Sequence, residues 1–205
     1  IEDRLKKVVN LEVNRVFSFQ CDLSSLDDIK KLAANVKENV GPVHILVNNA
    51  GIMNHGKLFE ELTHDEIVKI FQVNALAQLH LTREFLPQMK EKNFGHIVNV
   101  ASICGIIGGY KIVDYCASKF AVVGFTESLR IELNSLNKDN KIVVSVCPFL
   151  VRTNLFNGVE FSKLKWLNLS MEPEYVASDI VNGILANKEM ILIPKAQTSV
   201  FVITK

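Results

Sequence analysis

VHILVNNAG, residues 43–51, joins a run of apolar, mostly branched aliphatic residues to a turn of two amides, an alanine and a glycine. The run Val43–Val47 has the length of a strand buried on both faces. Four further segments share its character: Arg15–Gln20 (RVFSFQ), His96–Ala101 (HIVNVA), Ile142–Cys147 (IVVSVC) and Met190–Pro194 (MILIP). Helical periodicity fills the intervals, over residues 27–40, 63–92, 113–137 and 173–187. Ser24 or Ser25 can cap the first of these helices, and Pro173 sits near the first turn of the last. Strands that alternate with crossover helices predict a mostly parallel, doubly wound α/β sheet. The strands are continuous apolar runs, as burial on both faces requires. One α/β domain is expected over residues 1–205. The irregular stretch 149–172 is too long for a simple connection and reads as a lid over a site, with disorder as the other reading.

The totals narrow the function classes. The chain has 205 residues, 48% of them hydrophobic but only 8% aromatic, so the core is aliphatic. Lys and Arg number 23 against 22 Asp and Glu. That balance leaves no basic excess to meet a phosphate backbone, and nucleic acid is not an expected partner. Cys21, Cys104, Cys116 and Cys147 show no CxxC spacing and no compact disulfide framework, and read as reduced thiols of an intracellular protein. The five histidines share no ligand spacing, so no metal site is expected. No apolar run reaches the roughly 18 residues of a membrane-spanning helix. The sequon Asn168-Leu169-Ser170 is read as unused. Residues 1–14 resemble the end of a helix and a turn, without an initiating Met, and suggest a fragment.

In open α/β sheets ligands bind beyond the carboxyl ends of the strands. There the sequence places Cys21-Asp22-Leu23, Asn48-Asn49-Ala50-Gly51, Ser102 and Pro148, after successive strands. On a helix Tyr115 and Lys119 are i,i+4 neighbours. A phenol with a reference pKa of about 10 is a poor acid or base near neutrality, and an adjacent ammonium is expected to lower it. Ser102 can bond the substrate oxygen that Tyr115 protonates or deprotonates, which amounts to acid/base machinery for an alcohol and a carbonyl. Each feature also has a plain reading. A lone Tyr-x-x-x-Lys arises by chance, Asn48 and Asn49 form turns, and Gly51 can serve only a positive φ. Asn74 can face solvent mid-helix, and Asp22 can cap one.

The ordered set Asp22, Asn48-Asn49-Ala50-Gly51, Asn74, Ser102, Tyr115-x-x-x-Lys119, Pro148 and Thr153 resembles the short-chain dehydrogenase/reductase family. The likeness runs from that family's third strand to near the C-terminus. It implies a Rossmann-like fold and a nicotinamide cofactor, NAD in preference to NADP. By the same resemblance Asp22 and Leu23 contact the adenine. Asn48, Ala50 and Gly51 support the central strand and line the adenosine-ribose side. Asn74 kinks its helix and holds a water in a relay to Lys119. Ser102 orients the substrate oxygen, and Tyr115 transfers the proton. Lys119 binds the nicotinamide ribose and tunes Tyr115, while Pro148, Val151 and Thr153 lie against the nicotinamide.

Stretches such as Asp114–Ala121 (DYCASKFA), Val123-Gly124-Phe125 and Cys147-Pro148-Phe149 are similar to the retinol and hydroxysteroid dehydrogenase branch. That branch implies a retinoid, steroid or related lipid as substrate, and a homodimer or homotetramer. It also implies an endoplasmic reticulum membrane or lipid-droplet location through a segment outside this chain, the alternative being cytoplasm. Phe149 stands where the family usually has glycine, and no GxxxGxG occurs in residues 1–205. The first βαβ unit, with its pyrophosphate-binding turn and cofactor-selecting residue, is therefore expected upstream of Ile1. Ile103, Ile106, Ile107, Tyr110, Phe149, Leu150, Leu155, Phe156, Phe161 and Trp166 are expected around the pocket and lid, or as ordinary core. The rival to an oxidoreductase is a non-catalytic fragment or lipid-surface binding protein on the same scaffold.

Overall fold

Every apolar run from residue 43 onward becomes a strand, and all four strands are parallel. The computed structural model describes residues 16–54, 56–136, 141–156 and 170–195. In chain order these form α1 (Leu26–Asn39), β1 (Ile45–Asn48), α2 (His64–Phe71), α3 (Ala77–Lys92), β2 (Gly95–Val100), α4 (Val113–Ser135), β3 (Lys141–Pro148), α5 (Pro173–Leu185) and β4 (Met190–Ile193). The strand order is β1-β2-β3-β4, so each crossover is carried by helix.

Local chemistry sets the helix starts. Ser25 accepts the Asp28 N–H at 3.3 Å, and Asp27 and Asp28 suit the positive end of α1. Thr63 and Glu66 make a capping box at α2: Thr63 Oγ1 accepts the Glu66 N–H at 3.2 Å, while Glu66 Oε2 accepts the Thr63 N–H at 2.9 Å. Asn93, at φ 46°, closes α3 in the left-handed region.

Alternate strand residues bury in opposite directions. Ile97 and Val143 pack on one face with Phe85 and Met89 of α3 and Leu129 and Leu133 of α4. Val98, Val100, Val144, Val146, Ile191 and Ile193 pack on the other with Val176 of α5. Helices thus cover both faces, as a doubly wound sheet requires.

Two expectations are corrected. Arg15 lies outside the described residues, and Val16–Gln20 is not a strand. A strand exists only through a neighbour. In the doubly wound order 3-2-1-4-5-6 the third strand reaches the fourth only through the first two. If Val16–Gln20 is the third and β1 the fourth, the two between them are not among the described residues. Ile45 and Val47 of β1 are accordingly 52% and 49% exposed. The expected single helix over 63–92 is also divided. A π-helical turn over Gln72–Leu76 separates α2 from α3 and contains the buried Asn74. The irregular stretch after Phe149 is tied at its ends, where Arg152 N–H donates to Met171 O and Met171 N–H to Leu150 O, both at 2.9 Å. Residues 157–169 of the expected lid, with Phe161 and Trp166, lie outside the described residues.

Candidate active site

Beyond the carboxyl ends of β1, β2 and β3 opens a cleft of about 480 Å³. Ala50, Gly51, Ser102, Tyr115, Lys119, Pro148, Val151 and Thr153 all line it. β2 delivers Ser102, which starts a short 3-10 turn over Ile103–Gly105. Ser102 Oγ accepts the Cys104 N–H at 3.1 Å, so its own proton is free to go elsewhere. It lines the cleft together with Tyr115 and acts on the phenol in the direction of the phenolate.

Tyr115 and Lys119 lie on the first turns of α4 and are 2% and 3% exposed. Lys119 Nζ sits 5.7 Å from the centre of the Tyr115 ring and donates to Val100 O at 2.9 Å. Burial pulls its pKa from 10.5 down to about 8. Tyr115 departs from the expected lowering. Burial, helped by the Cys104 and Cys116 sulfurs, pushes the phenol up and outweighs Ser102. A tyrosine held neutral is suited to giving a proton to a nascent alkoxide, the acid half of the exchange.

Behind this trio, Asn74 is fully buried and pins three elements. Its Oδ1 accepts the Ile52 N–H at 2.7 Å, and its Nδ2 donates to Ile52 O at 2.9 Å and Ser118 Oγ at 3.0 Å. Ser118 Oγ in turn donates to Tyr115 O at 2.7 Å. Gly51 has no positive φ. A Cβ there would stand 3.5 Å from both Asn74 Oδ1 and Lys119 Nζ, so those two groups converge on one point.

Other expected residues stand apart from the cleft. Asn48 is buried beneath the sheet, where Nδ2 donates to Asn99 Oδ1 at 2.8 Å. Asn99 Nδ2 donates to Thr126 Oγ1 at 3.0 Å, continuing a polar line across the sheet. Leu23 shares a separate groove with Asn48 and Ala50 on the far side of β1. Asp22 turns its carboxylate back onto Ser24, accepting from N at 2.9 Å and Oγ at 2.7 Å. Among the expected apolar lining residues, Phe149 and Leu155 face the cleft. Ile103 is buried, Ile106 packs against Val122 and Cys147, and Tyr110 is 78% exposed. The opposing wall is Pro173, Val176, Ala177 and Ile180 of α5, which sequence reading missed. Their helical spacing was visible; that their face meets β3 was not.

Gly105 was also missed. A Cβ there would lie 2.6 Å from Lys119 O and 2.9 Å from Val123 Cγ2. Only glycine lets the Ser102 turn seat on the backbone of α4 at Lys119. Asp114 braces the same helix start from within: its Oδ2 accepts Asn54 Nδ2 at 2.7 Å and its Oδ1 the Tyr115 N–H at 2.9 Å.

The donors and walls fit the nicotinamide half of a dinucleotide. An ammonium has three donors, of which Val100 O takes one, and Pro148 and Val151 offer an apolar surface opposite Ser102 and Tyr115.

The family model described as short chain dehydrogenase matches residues 1–162. The chain is 38% identical over 181 residues to short-chain dehydrogenase/reductase family 16C member 6 of Bos taurus, covering 88% of this chain and 57% of that protein. It is 39% identical over 181 residues to epidermal retinol dehydrogenase 2 of Mus musculus, covering 88% and 58%. To retinol dehydrogenase 10 of Homo sapiens it is 39% identical over 183 residues, covering 88% and 53%. The chain thus spans just over half the length of these relatives. Among solved structures, a short-chain dehydrogenase from Streptomyces avermitilis matches with TM-score 0.82 and 25% identity, over 100% of this chain and 80% of that one. A short chain dehydrogenase/reductase from Burkholderia phymatum, in complex with NAD, matches with TM-score 0.79 and 26% identity, over 97% and 76%.

Proposed function

This chain belongs to the short-chain dehydrogenase family, and from that premise we propose that it carries the acid/base half of an oxidoreductase interconverting a hydroxyl and a carbonyl. The single observation that carries this reading is the meeting of Ser102 and the Tyr115 phenol in one cleft, with the buried Lys119 amine beneath the Tyr115 ring. A bound nicotinamide cofactor, NAD in preference to NADP, would supply or take up hydride. Lys119 would hold its ribose hydroxyls, and Pro148, Val151 and Thr153 its nicotinamide face. Leu23 and Ala50, sharing one groove, would lie on the adenosine side, with Asp22 at its rim. Ser102 fixes the substrate oxygen beside the Tyr115 hydroxyl, and the phenol proton passes to or from that oxygen. Asn74 and Ser118 position the backbone of α4 at Tyr115, and the Asn74 relay to Lys119 belongs to the same reading. We place a lipophilic substrate, a retinoid, steroid or related lipid, against Phe149, Leu155, Val176 and Ile180.

Tyr115→Phe in the protein of full length removes the transferable proton while keeping the ring. Steady-state turnover should fall by at least about a thousandfold, within the range general acid/base catalysis supplies. A Phe variant turning over near the parent rate would sink the mechanism. Leu76, just before α3, and Ile131 of α4 are exposed and favour a homodimer or homotetramer built on α3 and α4; sedimentation at monomer mass would remove that part. Among the described residues no helix is long and apolar enough to cross a membrane. A membrane or lipid-droplet surface would be met through other segments, which fractionation of the full-length protein would test.

A further inference from the structure

Two cysteines outside the proposed machinery stand against it. Cys104 is half-buried on the 3-10 turn two residues after Ser102, and Cys116 is buried on α4 beside Tyr115. Both belong to one apolar cluster with Tyr115, Ile112 and Met53. Cys104 packs against the cluster that holds Cys116, and the two thiols shift one another, Cys104 upward and Cys116 downward. The Gly109 backbone closes over the second sulfur, since a Cβ on Gly109 would lie 3.6 Å from Cys116 Sγ. Cys21 and Cys147 belong to neither that cluster nor that contact.

We propose that Cys104 and Cys116 form an oxidative modification site, closing to a disulfide under a peroxide and reopening under a dithiol. Cys104 beside it lowers the Cys116 thiol while Cys104 itself is raised, so Cys116 is the attacking sulfur. Cys116 takes one peroxide oxygen to become a sulfenic acid, and the other oxygen leaves as water. The Cys104 sulfur then attacks that sulfenic sulfur and expels a second water. Two S–H bonds and one O–O bond break and one S–S bond forms, with two electrons passing to the peroxide. A dithiol reverses the change by exchange and is itself oxidised.

The consequence for the site is geometric, and this part rests on the function proposed above. A disulfide draws its sulfur atoms to about 2.05 Å, well inside thiol–thiol contact. Gly105 is already seated on Lys119 O, so the turn has no slack toward the helix at that point. The movement falls on Cys104, whose N–H bond to Ser102 Oγ is 3.1 Å, and on the first turn of α4 at Tyr115. Ser102 and Tyr115 lose their register, and turnover drops.

The test treats the reduced full-length protein with equimolar hydrogen peroxide and digests it without reductant. Mass spectrometry should find the peptides holding Cys104 and Cys116 joined, two hydrogens lighter than the pair. Turnover should fall at least about tenfold and return with dithiothreitol, as expected for a displaced catalytic pair. Cys104→Ser and Cys116→Ala should each keep their own untreated turnover when peroxide is added. A linkage through Cys21 or Cys147, no linkage, or a Cys104–Cys116 linkage that leaves turnover unchanged would each overturn the proposal. A reduced protein with no turnover defeats the oxidoreductase reading and the switching step together, while the linked peptide still decides whether the bond forms.

Discussion

Lys119 brings an amine into a site where it is 3% exposed, which has a cost measurable apart from catalysis. The unfolded chain keeps this proton up to about 10.5, whereas the folded protein releases it near pH 8, because burial disfavours the charged form. Between those values the unfolded state binds more protons, so this group's contribution to stability rises with pH. The destabilisation is fully present below pH 8 and gone by about pH 10.5. At roughly 1.4 kcal/mol per pH unit it is on the order of 3 kcal/mol at neutrality. Lys119→Met should therefore be more stable than the parent at pH 7 by up to about that amount, and inactive. The gap in urea midpoints should narrow steadily from pH 8 to pH 10. Cys147, whose thiol burial pushes up to about 11, acts in the opposite sense above pH 9; Lys119 is the smallest of the causes acting on it, so it cancels for the most part in the difference. A gap that stays constant with pH would show that the buried amine is not its source.

At the scale of elements, the site depends on how close the Ser102 turn comes to α4, and two glycines separate that effect from helix propensity. Gly105→Ala puts a methyl 2.6 Å from Lys119 O, a backbone atom that cannot swing aside. The turn and helix must part, at a cost of about 1–3 kcal/mol. A displacement near 1 Å between catalytic groups can reduce turnover by about a hundredfold. Gly124→Ala, within the same helix, meets nothing within 4 Å and should instead stabilise by about 0.5–1 kcal/mol with turnover unchanged. Thermal melts and initial rates on the two variants test the contrast, which fails if both move alike. This pair also marks where sequence reading stops. The strands after residue 43 were legible because burial on both faces leaves a continuous apolar run, and the meeting of Ser102, Tyr115 and Lys119 in one cleft because a strand end and i,i+4 helical neighbours fall at one edge of the sheet. Gly105 was not legible, since its requirement lies in a carbonyl fourteen positions further on. Asn99 looked like one polar residue in HIVNVA until Asn48 and Thr126 proved to be its partners. The π-helical turn at Asn74 was hidden from the periodicity, because one extra residue barely disturbs a long amphipathic pattern, and only the family resemblance put a kink there.

For the molecule as a whole, the same site stands on a sheet whose first strand is exposed. Val47 pairs in register with Val98, which is fully buried, yet Val47 itself is 49% exposed and Ile45 52%. Both point to one side of β1, and the outer edge of that strand is the edge of the described sheet. An apolar face beside open ladder groups is a template for another chain. Residues 1–205 produced alone should therefore associate at micromolar concentration. Val47→Lys, which places a charge on that edge, should suppress the association while leaving the melting temperature of residues 1–205 within a few degrees. In a protein of the relatives' full length the same change reports whether β1 gains a covering neighbour. A buried, unpaired lysine there would cost several kcal/mol and unfold the domain, whereas an edge that remains open would tolerate it. Light scattering and melts on both lengths decide the matter. Association of residues 1–205 that Val47→Lys leaves unchanged would move the sticky surface elsewhere, with Phe17, 55% exposed, the next position to change.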